Sequence, residues 1–140
     1  MRRVLPFFLV AAFCATVGAA PATKGPKSKT PKPYQVGSAS WYGKKFHGRT
    51  TASGEPYDMF QLTAAHRQLP LGTWLRVTNL RNGRWVMVRV NDRGPVPQTR
   101  IIDLSYGAAS LLQLRHKGVE RVRLDLIQPE MLASNRQIMQ

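Results

Sequence analysis

Apolar and polar side chains alternate with a period of two over residues 74–78 and again over 84–90. That spacing places Leu75 and Val77, then Val86, Val88 and Val90, on faces a sheet would bury. Between the two runs lies Asn79-Leu-Arg-Asn-Gly83, whose Asn82-Gly83 pair tolerates positive φ at both turn positions, so a hairpin is expected. Alternation returns over residues 119–127 through Val122, Leu124 and Leu126, with Gly118 as its entry. Shorter runs at residues 35–41, 61–65 and 100–103 predict three further strands. Ser105 is placed to cap a short helix through Gly107-Ala-Ala-Ser-Leu-Leu112, where Ala and Leu favour helix over strand. Six short strands and one helix predict a small barrel, because closure removes the exposed edges of such a sheet.

The ends of the chain break this pattern. Met1-Arg2-Arg3 precedes an apolar stretch from Val4 to Val17 and then small residues through Ala22, the layout of a cleaved secretory signal peptide. The stretch is shorter than the ~20 residues that span a bilayer, so a permanent membrane helix is not expected. A lipid anchor on Cys14 is not expected either, because Phe13 stands where bacterial lipoproteins carry a small residue. Cleavage near Ala22 would remove the one cysteine of the chain. Residues 24–33 are Pro- and Lys-rich without an apolar side chain, which cannot bury enough surface to offset ordering. The expected organisation is a signal peptide at 1–22, a linker at 23–33, a folded module at 34–128 and a short polar tail at 129–140.

Composition narrows the chemistry. The chain has 140 residues, 21 Lys and Arg against 7 Asp and Glu, and a formal net charge of +14. One domain with one core fits this length, and a lone cysteine excludes both a disulfide scaffold and a thiolate zinc site. His47, His66 and His116 lack the spacing of a helical metal pair, so neither a metal nor a cofactor is expected. The positive charge favours an anionic partner, which could be nucleic acid, a membrane surface or an acidic polymer. Export argues against nucleic acid.

Within the module the carboxylates are Glu55, Asp58, Asp92, Asp103, Glu120 and Asp125. Glu120 and Asp125 stand among Arg121 and Arg123 and read as surface ion pairs. Asp92, in Asn91-Asp-Arg-Gly-Pro95, follows an apolar strand directly; it reads either as an Asx-type turn or as an acid displayed on a rigid support. Asp103 precedes a helix start and could serve as a cap or as a site residue. Glu55 lies in a loop of small residues and is either idle or part of a cleft wall. Trp41 and Tyr42, with Tyr57 and Tyr106 near the carboxylates, offer the flat faces and polar tips of a sugar-binding groove, with Arg93 beside Asp92. Trp74 and Trp85, inside alternating strands, are expected in the core.

Gly37-Ser-Ala-Ser-Trp-Tyr-Gly43, Phe46-His-Gly-Arg-Thr50, Thr51-Ala-Ser-Gly-Glu55, Tyr57-Asp-Met59, Leu62-Thr-Ala-Ala-His66, Leu69-Pro-Leu71, Val77-Thr-Asn79, Val90-Asn-Asp-Arg-Gly-Pro95 and Arg100-Ile-Ile-Asp-Leu-Ser-Tyr106 together resemble the rare lipoprotein A (RlpA) family, in order over residues 36–127. The resemblance implies a mostly β fold, a six-stranded double-psi β-barrel with one or two short helices, related to expansins. It implies a lytic transglycosylase cleaving the MurNAc–GlcNAc linkage of peptidoglycan glycan strands, with preference for strands lacking stem peptides. By motif it assigns family positions to Glu55, His66 and Asp92, and Asp103 matches the aspartate of expansin-like barrels. Many members carry a C-terminal SPOR domain; this chain ends at Gln140, and septal recruitment by that route is not expected. A monomer is expected, with cell-division or cell-wall machinery as a candidate partner.

For that reaction Asp92 is the expected acid and base, Glu55 and Asp103 the stabilising carboxylates, and His66 a hydrogen-bonding neighbour. An aspartic acid near its ordinary pKa of ~3.9 is ionised at neutral pH, and keeping it protonated takes roughly 3 units of help. Clustering of Glu55, Asp92 and Asp103 in one cleft would supply that help through like-charge repulsion. A non-catalytic expansin-like wall-binding module and an ordinary glycoside hydrolase are the alternatives.

Overall fold

The computed structural model describes residues 32–114 and 116–128, together with 130 and 133. The expected signal peptide, most of the linker and nearly all of the tail lie outside the described residues. In chain order the elements are β1 (Gln35–Trp41), a 3-10 turn (Lys44–Phe46), β2 (Thr63–Ala65), β3 (Trp74–Asn79), β4 (Trp85–Asp92), β5 (Ile102–Leu104), α1 (Tyr106–Leu111) and β6 (Glu120–Leu126). They close into a barrel in the order β1-β5-β2-β4-β3-β6. β1 with β5 and β2 with β4 run parallel, and the other four pairings are antiparallel. All six expected strands are present, and β1 has the bounds its pattern predicts.

The period-two pattern packs as the sequence implies. Leu75, Val77, Val88, Val90, Ile102, Leu104, Val122 and Leu124 are fully buried in the barrel, with Ala39 and Ala64 where strands leave little room. α1 closes one end through Ala108, Ala109, Leu112 and Leu114. Its start is capped as expected: Ser105 Oγ accepts the N–H of Ala108 at 3.2 Å and donates to Gln61 O at 2.6 Å. Gly107 is forced by close approach, because a Cβ there would stand 2.8 Å from the main-chain oxygen of Phe60.

Three expectations need correction. The expected β3–β4 hairpin is present, but its turn is not of the expected kind: only Gly83 has positive φ, and the loop closes through Gly83 N–H to Asn79 O at 2.8 Å and Asn79 N–H to Arg84 O at 2.7 Å. Asn82 uses its amide elsewhere, donating to Leu112 O at 3.1 Å and accepting from Arg84 N–H at 2.9 Å. Trp85 is 57% exposed and lies against the Arg76 guanidinium rather than in the core; Trp74 is half-buried. Both occupy the parity opposite to the buried residues of their strands, which turns them outward. Glu120 and Asp125 do form surface pairs, with Arg81 and with Arg123 and Arg76, although Arg121 is not among those partners.

Candidate active site

The strand ends β1, β5, β2 and β4 carry a single row of side chains. Ser40 pairs with Asp103, Asp103 with Ala65, and Ala65 with Asp92, so the row crosses four adjacent strands. With strands about 4.8 Å apart, the two aspartates stand roughly 9–10 Å from each other at their Cα atoms, over a small alanine. Asp92 reaches this row through a bulge. Ala64 pairs with Val90 and Ala65 with Asp92, so Asn91 is the extra residue on β4. An extra residue inverts the alternation. Without it Asp92 would share the parity of Val86, Val88 and Val90 and point inward.

Both acids line a groove of about 490 Å³, together with Ser40, Trp41, Tyr42, Lys45, Phe46, Arg49, Tyr57, Ala65, Arg93 and Arg100. Their surroundings differ. Asp92 Oδ1 accepts the N–H of Ala52 at 3.0 Å and of Arg93 at 2.8 Å, while no donor reaches Oδ2 among the described residues. Asp103 is saturated: Oδ1 accepts from Ser40 Oγ at 2.6 Å and Arg100 Nε at 3.1 Å, and Oδ2 from Arg100 Nη2 at 3.4 Å. One acid has an open oxygen and the other has donors on both oxygens.

The loop before β2 forms the adjoining wall. Ser53 N–H donates to Asn91 O at 3.1 Å, Thr51 N–H to Glu55 O at 2.9 Å, and His66 N–H to Asp92 O at 3.1 Å. Trp41, Tyr42 and Tyr57 supply the aromatic faces, with Tyr42 and Tyr57 edge to face at 4.6 Å. Tyr57 is buried, and its hydroxyl accepts Tyr106 N–H at 3.1 Å. Burial pushes the Tyr42 phenol well above the ordinary tyrosine range, and the nearby carboxylates of Asp92 and Asp103 add to the effect. Tyr106 is not a lining residue; it packs behind Trp41 with ring centres 5.7 Å apart.

Two of the expected site residues serve elsewhere. Glu55 is not in the groove lining: Arg89 Nη1 and Nη2 hold its two oxygens at 2.7 and 3.1 Å. That hydrogen bonding lowers its pKa; burial opposes it, and Asn91, the Arg89 charge and Ser53 add smaller lowering effects. The expected three-carboxylate cluster is therefore an Asp92–Asp103 pair, with Glu55 turned to an arginine. His66 is 2% exposed and also lies off the lining. Its Nδ1 accepts the N–H groups of Gln68 and Leu69, both at 3.1 Å, which leaves Nε2 to donate to Gln35 Oε1 at 3.0 Å. Burial lowers its pKa, with the charges of Arg67 and Arg93 adding. Arg93 lines the groove while its Nη1 is tied to the carbonyls of His66 and Leu69 at 3.1 and 2.7 Å.

Sequence reasoning missed Ser40, Arg100, Lys45, Arg49 and the supporting Arg89. Ser40 had no local signal, since pairing of β1 with β5 brings it to a residue 63 positions away, whereas Arg100 stands three residues before Asp103 and was overlooked. Lys45 and Arg49 were visible only as part of the general excess of positive charge. No group of three or more His, Cys, Asp or Glu side chains that could hold a metal ion occurs among the described residues.

Residues 34–124 match the family model described as lytic transglycolase. The endolytic peptidoglycan transglycosylase RlpA of Pseudomonas aeruginosa is 56% identical over 94 residues, covering 67% of this chain and 28% of that protein. The RlpA proteins of Vibrio cholerae and Neisseria meningitidis are 52% and 50% identical, covering 71% and 74% of this chain and 38% and 44% of their own lengths. The chain thus spans between about a quarter and a half of these relatives. Among solved structures, the Streptomyces papain inhibitor superposes with a TM-score of 0.54 at 25% identity, covering 69% of this chain and 97% of that one. An expansin of Clavibacter michiganensis gives 0.54 at 23% identity, covering 67% and 50%. The fold is the expansin-like double-psi β-barrel that the sequence resemblance implied.

Proposed function

This chain belongs to the lytic transglycolase family, and we propose that its groove cleaves the MurNAc–GlcNAc linkage of peptidoglycan glycan strands to leave 1,6-anhydroMurNAc ends. The observation that carries the reading is the Asp92–Ala65–Asp103 row, which puts an acid with an open oxygen and an acid with both oxygens occupied on one groove. Asp92 gives its proton from Oδ2 to the bridging oxygen as the glycosidic bond breaks. The MurNAc 6-hydroxyl then attacks its own anomeric carbon, and its proton returns to Asp92, so no water enters the product. Asp103, fixed in place by Ser40 and Arg100, stabilises the positive charge that develops on the sugar ring. The two main-chain N–H groups on Asp92 Oδ1 keep the other oxygen aimed at the groove.

Trp41 gives the sugar rings an apolar face to lie on. Lys45 and Arg49 on the same groove suit strands with free lactyl carboxylates, that is, strands lacking stem peptides. Glu55 and His66 act on the site by holding the loop and the strand end beside Asp92. Such a substrate and the signal-like first 22 residues support a location in the periplasm or cell wall.

Mass spectrometry of sacculi digested with the wild type and with Asp92→Asn tests the reaction and the residue together. Anhydro ends from the first and none from the second are expected. Ordinary reducing ends would select a hydrolase, and binding without any release would select an expansin-like wall-binding module.

A further inference from the structure

Tyr42 holds a hydroxyl that packing does not explain. Its oxygen is closed off from solvent and has no hydrogen-bond partner among the described residues, although the residue lines the groove. The ring is well held, by Tyr42 N–H on Leu104 O at 3.1 Å and by edge contacts with Phe46 and Tyr57 at 6.1 and 4.6 Å. A phenylalanine would make the same contacts without stranding a polar group. Burial keeps the phenol protonated, so it is a donor throughout the working pH range, and it lies within the electrostatic reach of both aspartates. Asp103 has no need of a donor, because Ser40 and Arg100 already occupy both of its oxygens. Asp92 Oδ2 is the carboxylate oxygen on this groove that takes no donor from the described residues.

We propose that Tyr42 is a positioning residue whose hydroxyl donates to Asp92 Oδ2 once that oxygen has given up its proton, and so sets the pH range over which Asp92 acts as an acid. This rests on the assignment of Asp92 as the proton donor. While Asp92 is protonated, Oδ2 carries the proton destined for the sugar and the tyrosine waits. After transfer Oδ2 is a charged acceptor, and the nearby phenol stabilises it until the 6-hydroxyl proton returns. The other charged or titratable groups on the groove around Asp92 are Lys45, Arg49, Tyr57, Arg93, Arg100 and Asp103. All of them stay in place in Tyr42→Phe, so a change in Asp92 titration in that variant reports the hydroxyl.

The full-length chain carrying 13C-labelled aspartate is titrated by carbon NMR as wild type and Tyr42→Phe, with Asp92→Asn used to assign the resonance. Loss of a hydrogen bond to the ionised form raises the Asp92 midpoint, by about one pH unit for a charge-assisted bond. The alkaline limb of kcat for anhydro-end release should move up by the same amount, with KM unchanged. An unmoved Asp92 midpoint overturns the proposal, as does a higher KM with an unmoved limb, which would make Tyr42 a sugar contact. If Tyr42→Phe does not fold, 3-fluorotyrosine at position 42 is the second probe. Its more acidic phenol is a stronger donor and should lower the Asp92 midpoint, and no change overturns the proposal equally. The midpoint is read on the protein alone, so a wild type that releases no anhydro ends ends the proposed reaction and leaves this coupling separately decided.

Discussion

Arg89 grips both carboxylate oxygens of Glu55, at 2.7 and 3.1 Å, from a position on β4 three residues before Asp92. The pair ties the loop that carries Ala52, whose N–H holds Asp92, to the strand that carries Asp92 itself. Glu55 therefore supports the site from outside the groove. Glu55→Gln and Arg89→Gln should lower anhydro-end release by similar factors, and the double variant should be no worse than either single one. A Glu55→Gln defect far deeper than that of Arg89→Gln would mean that Glu55 touches the sugar. Both side chains are about one-third exposed, so the pair contributes only about 1 kcal/mol to stability. Because the Glu55 pKa is lowered on folding, that contribution is complete above the ordinary glutamate value of ~4.3 and is lost as pH falls through the folded value.

His66 gives the second pH dependence. Its Nδ1 accepts two main-chain N–H groups, so protonating it removes both bonds inside a buried site. The folded pKa lies below the ordinary ~6.5, and the unfolded chain binds more protons between the two values. Stability should be complete above about pH 6.5 and should decline as pH falls from there toward the folded value, as read by urea unfolding across pH. His66→Ala should abolish the decline and cost about 2 kcal/mol or more by leaving two buried donors unmet. An unchanged slope in that variant would remove His66 from this role.

Gly107→Ala should run against helix propensity. In an exposed helix the change gains about 1 kcal/mol. Here the new methyl meets the main-chain oxygen of Phe60 at 2.8 Å, and main chain cannot swing aside as a flexible side chain would. Overpacking of this kind costs about 1–3 kcal/mol, so a net loss is expected in chemical denaturation. A more stable variant would show that α1 can shift on the barrel.

The excess positive charge should matter most for encounter with the wall. Co-sedimentation of the protein with purified sacculi should weaken steeply between low and high salt, as exposed charges are screened beyond ~10 Å at 0.1 M. Lys45→Gln with Arg49→Gln should raise KM for glycan strands, since both side chains stand on the groove itself. Binding indifferent to salt would make the aromatic faces the sole source of affinity.

Much of the architecture was readable before any coordinates. Period-two runs locate the strands because side chains alternate across a sheet, whatever that sheet pairs with. The Ser105 cap was legible for a similar reason, being a contact between residues three apart. The outward turn of Trp85 was also present in its parity, and was obscured only by the expectation that tryptophan seeks the core. Asp92 at a strand end, Asp103 before a helix and the aromatic cluster near Trp41 were all visible as candidates.

Their partnerships were not visible. Glu55 and Arg89 are 34 residues apart, His66 and Gln35 are 31, and Ser40 and Asp103 are 63. Alternation specifies which side of a strand each residue occupies. It carries no information on which strand lies alongside, and the parallel pairs β1–β5 and β2–β4 arise only when the barrel closes. The bulge at Asn91 belongs to the same category, because an extra residue exists only relative to a paired strand. Local chemistry therefore names the acids of this chain, while closure of the barrel aims Asp92 into the groove, saturates Asp103 and turns Glu55 and His66 into its supports.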